Sequence, residues 1–352
     1  MKLDQMEPAV AVYALTRRGA HLAAELAGGL GGALFLPRRL TEEFGNRAEY
    51  FDSLSSALTA NFSGYRGQVM VAATGIIVRL IAPLLSSKKE DPAVVAVTQD
   101  GRFAVSLLSG HLGGANELAK AVADLTGGEA VISTATDLEN LPALEMLARD
   151  HDLVIENFSA LPAVSGLLVD GGRVKVYDPH GFLRPHLMPW ADRFIFADGD
   201  PKADGEPTVI VDYQAPIIPP ARVLMMRPKV LALGLGCHRG IETAEVEKLI
   251  DDCLTEAGVS PLSIACLATV ETRALEPAFL ELSRRLARPL IIFSKDELSR
   301  VATPNPSGKV LAQIGVPSVC EAAAMLAAKT DSLTISKRKS ARATLAAALI
   351  RR

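Results

Sequence analysis

Apolar runs alternate along the first part of the chain with segments whose apolar residues recur at helical spacing. The run 9–15 precedes helical spacing over 17–26, and the run 68–73 precedes helical spacing over 76–85. Alternation of strand and helix signals is typical of layered α/β folds. We therefore predict strands followed by helices in this part of the chain.

A hairpin is predicted next. Asp100-Gly101 is a strong turn signal, and it lies between the apolar runs 94–98 and 103–107. A glycine-rich loop, a helix and a strand are predicted to follow, over 109–116, 117–125 and 130–133.

Prolines set the middle of the chain apart. Eleven of the 21 prolines fall between Pro142 and Pro228. Short strand signals at 167–169 and 174–177 flank the turn Gly171-Gly172. We expect a small β-containing domain or linker here.

Strand and helix signals alternate again towards the end of the chain. A helix over 243–257 is predicted to end at Gly258, and Ser294 with Glu297 forms a capping box. A further helix is predicted over 277–286, and strands over 229–235, 264–268, 290–293 and near 333–335. The basic segment 337–352 is interpreted as a solvated face that could also attract an anionic substrate or partner.

These patterns predict an α/β fold with two layered α/β domains joined by a proline-rich, β-containing middle segment. The predicted boundaries are 1–140, 141–226 and 227–352.

Composition narrows the class of protein. The 352 residues are 49% hydrophobic and 22% charged, with a formal net charge of −3, which gives no reason to expect a nucleic-acid partner. The longest apolar stretch, 69–85, is cut by Arg79 and is too short to span a membrane. The chain begins without a secretory pattern, and its four cysteines lack CxxC spacing, so we expect a soluble cytoplasmic protein without a metal site.

The stretch 109–116 is the strongest candidate site, with the sequence SGHLGGAN. Its glycines (Gly110, Gly113, Gly114) would let backbone amides approach a ligand between a strand and a helix, where open α/β sheets bind ligands. His111 can change its charge near neutral pH. We therefore assign catalysis to His111, Ser109 and Asn116, although the motif is not GxSxG. The alternative is a glycine-rich turn with a structural histidine.

Thr74-Gly75 is a second predicted junction between a strand and a helix. Arg79, further along that helix, could hold a carboxylate by a charge-assisted bond. The alternative is an exposed arginine paired with an acid.

A third candidate is the stretch 234–240, with the sequence GLGCHRG. Its third glycine is one residue too late for the dinucleotide-binding fingerprint, so an anion-binding turn with Gly236, His238 and Arg239 is preferred. Cys237 is interpreted as a buried, inert thiol rather than a reactive one. Ser307, in a rigid turn, is either a helix cap or a substrate contact.

Five stretches resemble cobalt-precorrin-5A hydrolases of the CbiG type, which act in anaerobic cobalamin biosynthesis. They are 73–85 (ATGIIVRLIAPLL), 91–95 (DPAVV), 107–119 (LLSGHLGGANELA), 234–240 (GLGCHRG) and 316–323 (VPSVCEAA). The C-terminal turn departs from the family's usual Cys-Arg-Arg, because it reads Cys237-His238-Arg239. The family's Lys-x-Asp-Glu is replaced by residues 272–276 (TRALE).

The resemblance implies an α/β fold in both outer domains and a defined reaction. The ring A δ-lactone of cobalt-precorrin-5A is opened and a two-carbon unit leaves as acetaldehyde, which gives cobalt-precorrin-5B. The cobalt arrives inside the substrate, so no cofactor is expected. The cobalt-corrinoid precursor is the expected partner, together with neighbouring enzymes of the pathway.

We expect His111 to act as the general base and the amides of Gly113 and Gly114 to bind the oxyanion. Two other functions stay open at this point. One is a non-catalytic tetrapyrrole carrier, which would release no acetaldehyde. The other is a nucleotide-dependent oxidoreductase, which the broken glycine pattern disfavours.

Overall fold

A computed structural model describes residues 10–87, 90–199, 205–214, 221–308, 311–312 and 315–351. The chain forms two compact units, 1–146 and 147–352. Within the described residues, no helix has the length and apolar character needed to cross a membrane.

The first unit is built on a seven-stranded sheet with helices on both faces, as predicted for an α/β fold. Its strands are β1 (Val10–Ala14), β2 (Ala33–Pro37), β3 (Glu49–Phe51), β4 (Gly67–Val71), β5 (Ala93–Val97), β6 (Phe103–Leu108) and β7 (Glu129–Val131). The helices are α1 (Arg17–Leu30), α2 (Thr41–Phe44), α3 (Leu54–Asn61), α4 (Thr74–Ile81), α5 (Ala115–Thr126), α6 (Ala135–Leu138) and α7 (Leu144–Asp150), the last of which crosses the boundary between the units.

Strand direction changes once within this sheet. The spatial order is β3-β2-β1-β4-β5-β6-β7, and β1 to β5 are parallel. β6 runs antiparallel to β5, since the predicted hairpin at Asp100-Gly101 is present, and β7 is parallel to β6. β6 and β7 therefore end at the edge of the sheet where β4 and β5 begin.

The second unit contains two five-stranded sheets. The first has the order β10-β9-β11-β12-β8, in which only β8 is antiparallel to its neighbour. Its strands are β8 (Leu153–Ile155), β9 (Val174–Tyr177), β10 (Phe194–Ala197), β11 (Thr208–Val211) and β12 (Val223–Pro228), and its helices are α8 (Leu161–Val169) and α9 (Arg184–Leu187).

The predicted strand over 167–169 is wrong. These residues form the last turn of α8, because the apolar run begins earlier, at Leu161. A short apolar run is ambiguous between a strand and a buried helix.

The second sheet of this unit has the order β15-β14-β13-β17-β16. Its strands are β13 (Leu231–Cys237), β14 (Ile264–Val270), β15 (Leu290–Phe293), β16 (Ile335–Lys339) and β17 (Ala343–Leu349). The described helices are α10 (Thr243–Ala257), α11 (Pro277–Leu286), α12 (Lys295–Ser299) and α13 (Val319–Ala328). Both predicted helix ranges are confirmed, as is the capping box of Ser294 and Glu297.

The interpretation of 337–352 as a solvated face is wrong for most of its described length. β17 lies between β13 and β16 and is largely buried, because its residues are mainly Ala and Leu. The basic side chains fall in β16, in the turn after it and at the end of the chain, and Arg352 lies outside the described residues.

The three sheets use residues 10–131, 153–228 and 231–349, whereas the compact units divide after Met146. The division into three domains at the predicted boundaries stays a prediction.

Close contacts explain two glycines of the stretch 234–240: α13 packs on Gly234, and Thr344 of the neighbouring strand β17 lies against Gly236. A Cβ at Gly234 would lie 1.8 Å from the carbonyl oxygen of Cys320, and a Cβ at Gly236 would lie 2.7 Å from Oγ1 of Thr344. Both glycines sit inside β13 and pair with β17. Gly236 is therefore part of a strand and not of the predicted anion-binding turn.

Gly234→Ala should destabilise the second unit by about 1–3 kcal/mol or more. The added methyl group would collide with the backbone of α13, which cannot move aside as a flexible side chain can. Gly166→Ala is the matched control: no heavy atom lies within 4 Å of the position that its methyl group would take, and alanine favours a helix by about 1 kcal/mol. Urea unfolding followed by circular dichroism measures both variants. Wild-type stability of Gly234→Ala would refute this account of the packing.

Candidate active site of the first unit

The loop 109–116 lies at the opposite edge of the sheet from Thr74 and Gly75. Leu108, the last residue of β6, pairs with Val94 near the start of β5, whereas Val71 at the end of β4 pairs with Val97 at the end of β5. Strands of this length place the two edges about 15 Å apart. The sequence suggested that both segments follow parallel strands, so the two predicted parts of the site are separated here.

The loop folds back on the start of α5. The carbonyl of Ser109 accepts a hydrogen bond from the amide of Ala115 (3.1 Å), and that of Gly110 accepts one from the amide of Asn116 (3.0 Å). Ser109 has a φ of 58°, a conformation that L-residues rarely adopt. A Cβ at Gly113 would lie 2.4 Å from Cβ of Ser109, so only glycine fits there.

In this fold, a backbone amide that the sequence analysis assigned to an oxyanion donates its hydrogen bond within the loop itself. The amide of Gly114 donates to the carbonyl of His111 at 2.9 Å and is used within the turn. The carbonyl of Gly110 accepts the hydrogen bond from Asn116, and a Cβ on Gly110 would lie 2.8 Å from Oδ1 of Asn116, but ligand binding by its amide stays a prediction. Ligand binding by Gly113 stays a prediction.

His111 lies between two carboxylates. Its Nδ1 is 2.8 Å from Oε1 of Glu145, and its Nε2 is 2.9 Å from Oδ2 of Asp137. The Glu145 side chain is 6% exposed and that of His111 14%, whereas Asp137 is 35% exposed. Asp137 is therefore the member of this trio most accessible from outside.

One carboxylate oxygen of Asp137 accepts hydrogen bonds from several donors. Its Oδ2 accepts hydrogen bonds from Nδ2 of Asn116 (3.0 Å), from the hydroxyl of Thr134 and from His111. Asn116 is buried, and its Oδ1 accepts a hydrogen bond from Ser106 at 2.6 Å. Both ends of its amide are engaged in this geometry, and the catalytic role predicted for Asn116 stays a prediction.

The carboxylates favour the charged form of His111. The hydrogen bond with Glu145 raises the pKa of His111, burial of the ring opposes that rise, and the bond with Asp137 adds to it. Burial acts to raise the pKa of Asp137, but hydrogen bonds from Thr134 and His111 outweigh it and the pKa is lowered. The stable state is an imidazolium paired with carboxylates.

Where both carboxylates are ionised they only accept hydrogen bonds, and both nitrogens of His111 then carry protons. The ring is then a proton donor, and it can serve as a general base only after it has lost a proton. Ser109 is placed in the same loop, and its buried Oγ has no hydrogen-bond partner among the described residues.

Sequence reasoning missed Glu145, Asp137 and Thr134. A signal existed for two of them, since Thr134 and Asp137 follow β7, which ends beside β6. No local pattern marks Glu145, which lies 34 residues from His111.

Thr74 lines a cleft of about 520 Å³ at the other edge of the sheet. Thr16, Val71 and Gln99 also line it, at the ends of β1, β4 and β5. Gly75 is exposed at the start of α4. Arg79 is exposed in the last turn of α4 and does not line the cleft.

The remaining predicted binding residues belong to the second unit. His238 and Arg239 are exposed after β13, where Arg342 holds the carbonyl of Arg239 (2.9 Å). Burial raises the pKa of Cys237 to about 11, which favours the neutral thiol there. Ser307 donates its amide to the carbonyl of Pro317 at 2.8 Å. Ligand contacts by His238, Arg239 and Ser307 stay predictions.

Within the described part of the chain, no group of three or more His, Cys, Asp or Glu side chains is placed to hold a metal ion. The expectation that the protein needs no cofactor of its own stays a prediction.

Family models for the three parts of one kind of protein match this chain in order. They describe the N-terminal region of cobalamin synthesis protein G (residues 56–137), a cobalamin biosynthesis central region (142–228) and the C-terminus of cobalamin synthesis protein G (231–348). A cobalt-precorrin-5A hydrolase of Priestia megaterium is 30% identical over 97% of this chain and 94% of its own length. The chain belongs to the cobalt-precorrin-5A hydrolase family.

Other proteins are similar to all or part of this chain. A cobalt-precorrin-5A hydrolase of Salmonella typhimurium is 30% identical over 90% of this chain and 91% of its own length. Protein CobE of a Sinorhizobium species is 38% identical over 34% of this chain and 79% of its own length. Among solved structures, a cobalamin biosynthesis protein G homologue of Sulfolobus solfataricus covers 98% of both chains at 15% identity with a TM-score of 0.35.

The ion pairs of His111 should make the stability of this family member depend on pH. A raised folded-state pKa stabilises the protein below the unfolded value of about 6.5, and this contribution is lost as the pH rises through the folded value. His111→Gln should therefore cost more stability at pH 6 than at pH 9, as measured by urea unfolding at each pH. An equal cost at both values would show that the charge of His111 does not stabilise the fold.

Proposed function

We propose that this protein hydrolyses cobalt-precorrin-5A: it opens the ring A δ-lactone and releases a two-carbon unit as acetaldehyde, which leaves cobalt-precorrin-5B. The observation that carries the proposal is 30% identity to a cobalt-precorrin-5A hydrolase over 97% of the chain. The same observation favours a hydrolase over a non-catalytic carrier. The enclosed ion pairs of His111 supply groups suited to proton transfer.

The proposed reaction has two stages. Water adds to the lactone carbonyl and gives one of its protons to the solvent, the ring C–O bond breaks, and a carboxylic acid and an alkoxide result. The alkoxide takes a proton and becomes an alcohol. The alcohol then loses its O–H proton while its bond to the macrocycle breaks, and the electron pair stays on the macrocycle carbon as acetaldehyde departs.

His111 can serve both stages. As an imidazolium it donates a proton to the alkoxide, and as the resulting neutral ring it takes the hydroxyl proton when acetaldehyde leaves. Glu145 holds one nitrogen throughout, because its buried carboxylate has a 2.8 Å bond to Nδ1. Asp137, the more exposed carboxylate, would release Nε2 when the substrate binds. General acid–base catalysis of this kind contributes about 10²–10⁴-fold.

The substrate is fringed with carboxylates, so exposed cations are suited to hold it. We propose Arg79, His238 and Arg239 for this role, with Thr74, Gly75, Gly113 and Ser307 as further contacts. No cofactor is proposed, because the cobalt is part of the substrate. The described cysteines are free thiols, which supports work in a reducing cytoplasm, next to other enzymes of the pathway.

The deciding experiment is acetaldehyde release from cobalt-precorrin-5A by the purified protein. His111→Ala should lower turnover by about 10²–10⁴-fold, because a proton-transfer group is lost. The control is His21→Ala, which removes an exposed histidine from α1 of the same unit. Tight binding of the macrocycle without acetaldehyde would support a carrier instead, and normal turnover of His111→Ala would remove His111 from the mechanism.

The pH dependence distinguishes the proton-donor role from a simple general base. If the imidazolium starts the reaction, kcat falls as the pH rises through the raised pKa of His111. Glu145→Gln removes the largest cause of that raised pKa, so the fall should move to lower pH. Glu129→Gln, at the exposed start of β7, makes the same charge change at the other edge of the sheet and should leave the midpoint in place. A kcat that instead rises over this range would support the general-base role.

A further inference from the structure

A cavity of about 450 Å³ lies in the second unit, and the residues that line it include none of the groups assigned above. Its lining includes His180, Phe182, His186 and Tyr213. Its volume is within the range of small-molecule sites, about 300–1,000 Å³. The mechanism proposed above uses none of these side chains.

The cavity occupies a topological switch point. The chain passes from β9 to β10 on one side and then returns to β11 on the other side of β9. His180 and Phe182 follow the carboxyl end of β9, and Tyr213 follows that of β11, its parallel neighbour. Ligands of open α/β sheets bind at this place.

The loop that presents these side chains is rigidly built. The carboxylate of Asp178 accepts backbone hydrogen bonds from Phe182 (2.9 Å), Leu183 (2.7 Å) and Arg184 (2.7 Å). On the other side, Tyr213 is anchored through its carbonyl, which accepts a hydrogen bond from the amide of Ser260 at 2.9 Å. The cavity walls are therefore held in place before any ligand arrives.

The His180 imidazole lies against two aromatic rings, and a carboxylate lies near its edge. Tyr213 stacks on the ring at a centroid distance of 5.0 Å, and Phe182 packs at 5.7 Å. Nε2 lies 3.9 Å from Oδ1 of Asp212, while the side chain is 39% exposed. Metal-ligating imidazoles commonly have a carboxylate nearby, although 3.9 Å is too long for a hydrogen bond.

A resident metal ion does not fit this place. The described residues offer no group of three or more side chains that could hold one, here or elsewhere. A metal that is bound in a tetrapyrrole needs fewer ligands from the protein, because the macrocycle nitrogens fill its equatorial positions. Such a metal takes a single axial imidazole from a protein.

We propose that this cavity receives one face of the cobalt macrocycle and that His180 is an axial ligand of its cobalt. The inference rests on the proposed function for the identity of the substrate. The step is a ligand exchange: the lone pair of a His180 nitrogen replaces an axial water, and no electron is transferred. The ligand would hold the macrocycle on the second unit.

The second imidazole of the cavity, His186, is suited to a site that binds a metal complex. His186 stacks on His151 at a centroid distance of 3.3 Å. Burial, and then the nearby His151, lower the pKa of His186. The lowered pKa favours the uncharged form of His186, so this ring does not repel a cationic metal centre.

The test uses the full-length protein with cob(II)inamide, a cobalt corrinoid that lacks a nucleotide base. Any axial nitrogen must then come from the protein, and its nuclear spin splits the cobalt lines of the electron paramagnetic resonance spectrum into triplets. We expect triplets with the wild type and doublets after labelling with ¹⁵N-histidine. His180→Ala should abolish the splitting and weaken cobinamide binding by about tenfold or more.

Two matched variants make the assignment specific. His186→Ala removes the other imidazole of the cavity, and His21→Ala removes an exposed histidine of the first unit. Both should keep the triplets. His180→Gln, with circular dichroism of each variant, separates loss of the ligand from loss of the fold.

Absence of nitrogen splitting in the wild type would overturn the proposal, as would triplets that persist in His180→Ala or disappear only in His186→Ala. The acetaldehyde assay keeps the two proposals apart. Acetaldehyde release without nitrogen splitting removes only the role of His180. Nitrogen splitting that depends on His180, without acetaldehyde release, keeps the ligand and removes the hydrolase.

Discussion

The reversal of the chain at Asp100 and Gly101 decides where the candidate chemistry of the first unit is placed. The carboxylate of Asp100 accepts hydrogen bonds from the hydroxyl of Thr98 (2.7 Å) and the amide of Arg102 (3.2 Å), and Gly101 adopts a φ of 74°. Because the turn is tight, β6 returns antiparallel beside β5. The loop after β6 is thereby carried to the edge where β7 also ends, and His111 meets Asp137 there. A parallel β6 would have placed His111 beside Thr74.

Two buried charges of this protein are held in ion pairs. Glu145 is buried against His111, and the fully buried guanidinium of Arg227 bonds to Glu156 at 2.6 Å. An ion without a partner would cost several kcal/mol in such surroundings. At His111 the same pairing also has a chemical consequence, since two carboxylates keep the ring protonated and ready to donate. A structural ion pair and a proton-transfer group are therefore compatible in one residue.

The glycine-rich stretches 109–116 and 234–240 look alike in sequence but differ in structure. Gly113 allows a strained loop to close on Ser109, whereas Gly234 and Gly236 lie inside a strand, where α13 covers Gly234 and Thr344 of the neighbouring strand lies against Gly236. Composition alone does not separate these uses, because a missing side chain serves a tight loop and a close helix equally well.

The proposed ligand role of His180 arises from neither stretch. It depends on loops that follow β9 and β11, which are adjacent in space only because the chain crosses over β9.

Local interactions let the sequence by itself determine the α/β class, the hairpin, the helices Thr243–Ala257 and Pro277–Leu286, and the cap at Ser294. Each depends on residues a few positions apart, as hydrophobic spacing and turn chemistry do. The sequence also singled out the loop around His111. Tertiary structure decided the rest: the pairing of His111 with Glu145, the separation of Thr74 from that loop, and the burial of β17. These features join residues far apart in the chain, so they depend on strand order and direction, which local patterns do not encode.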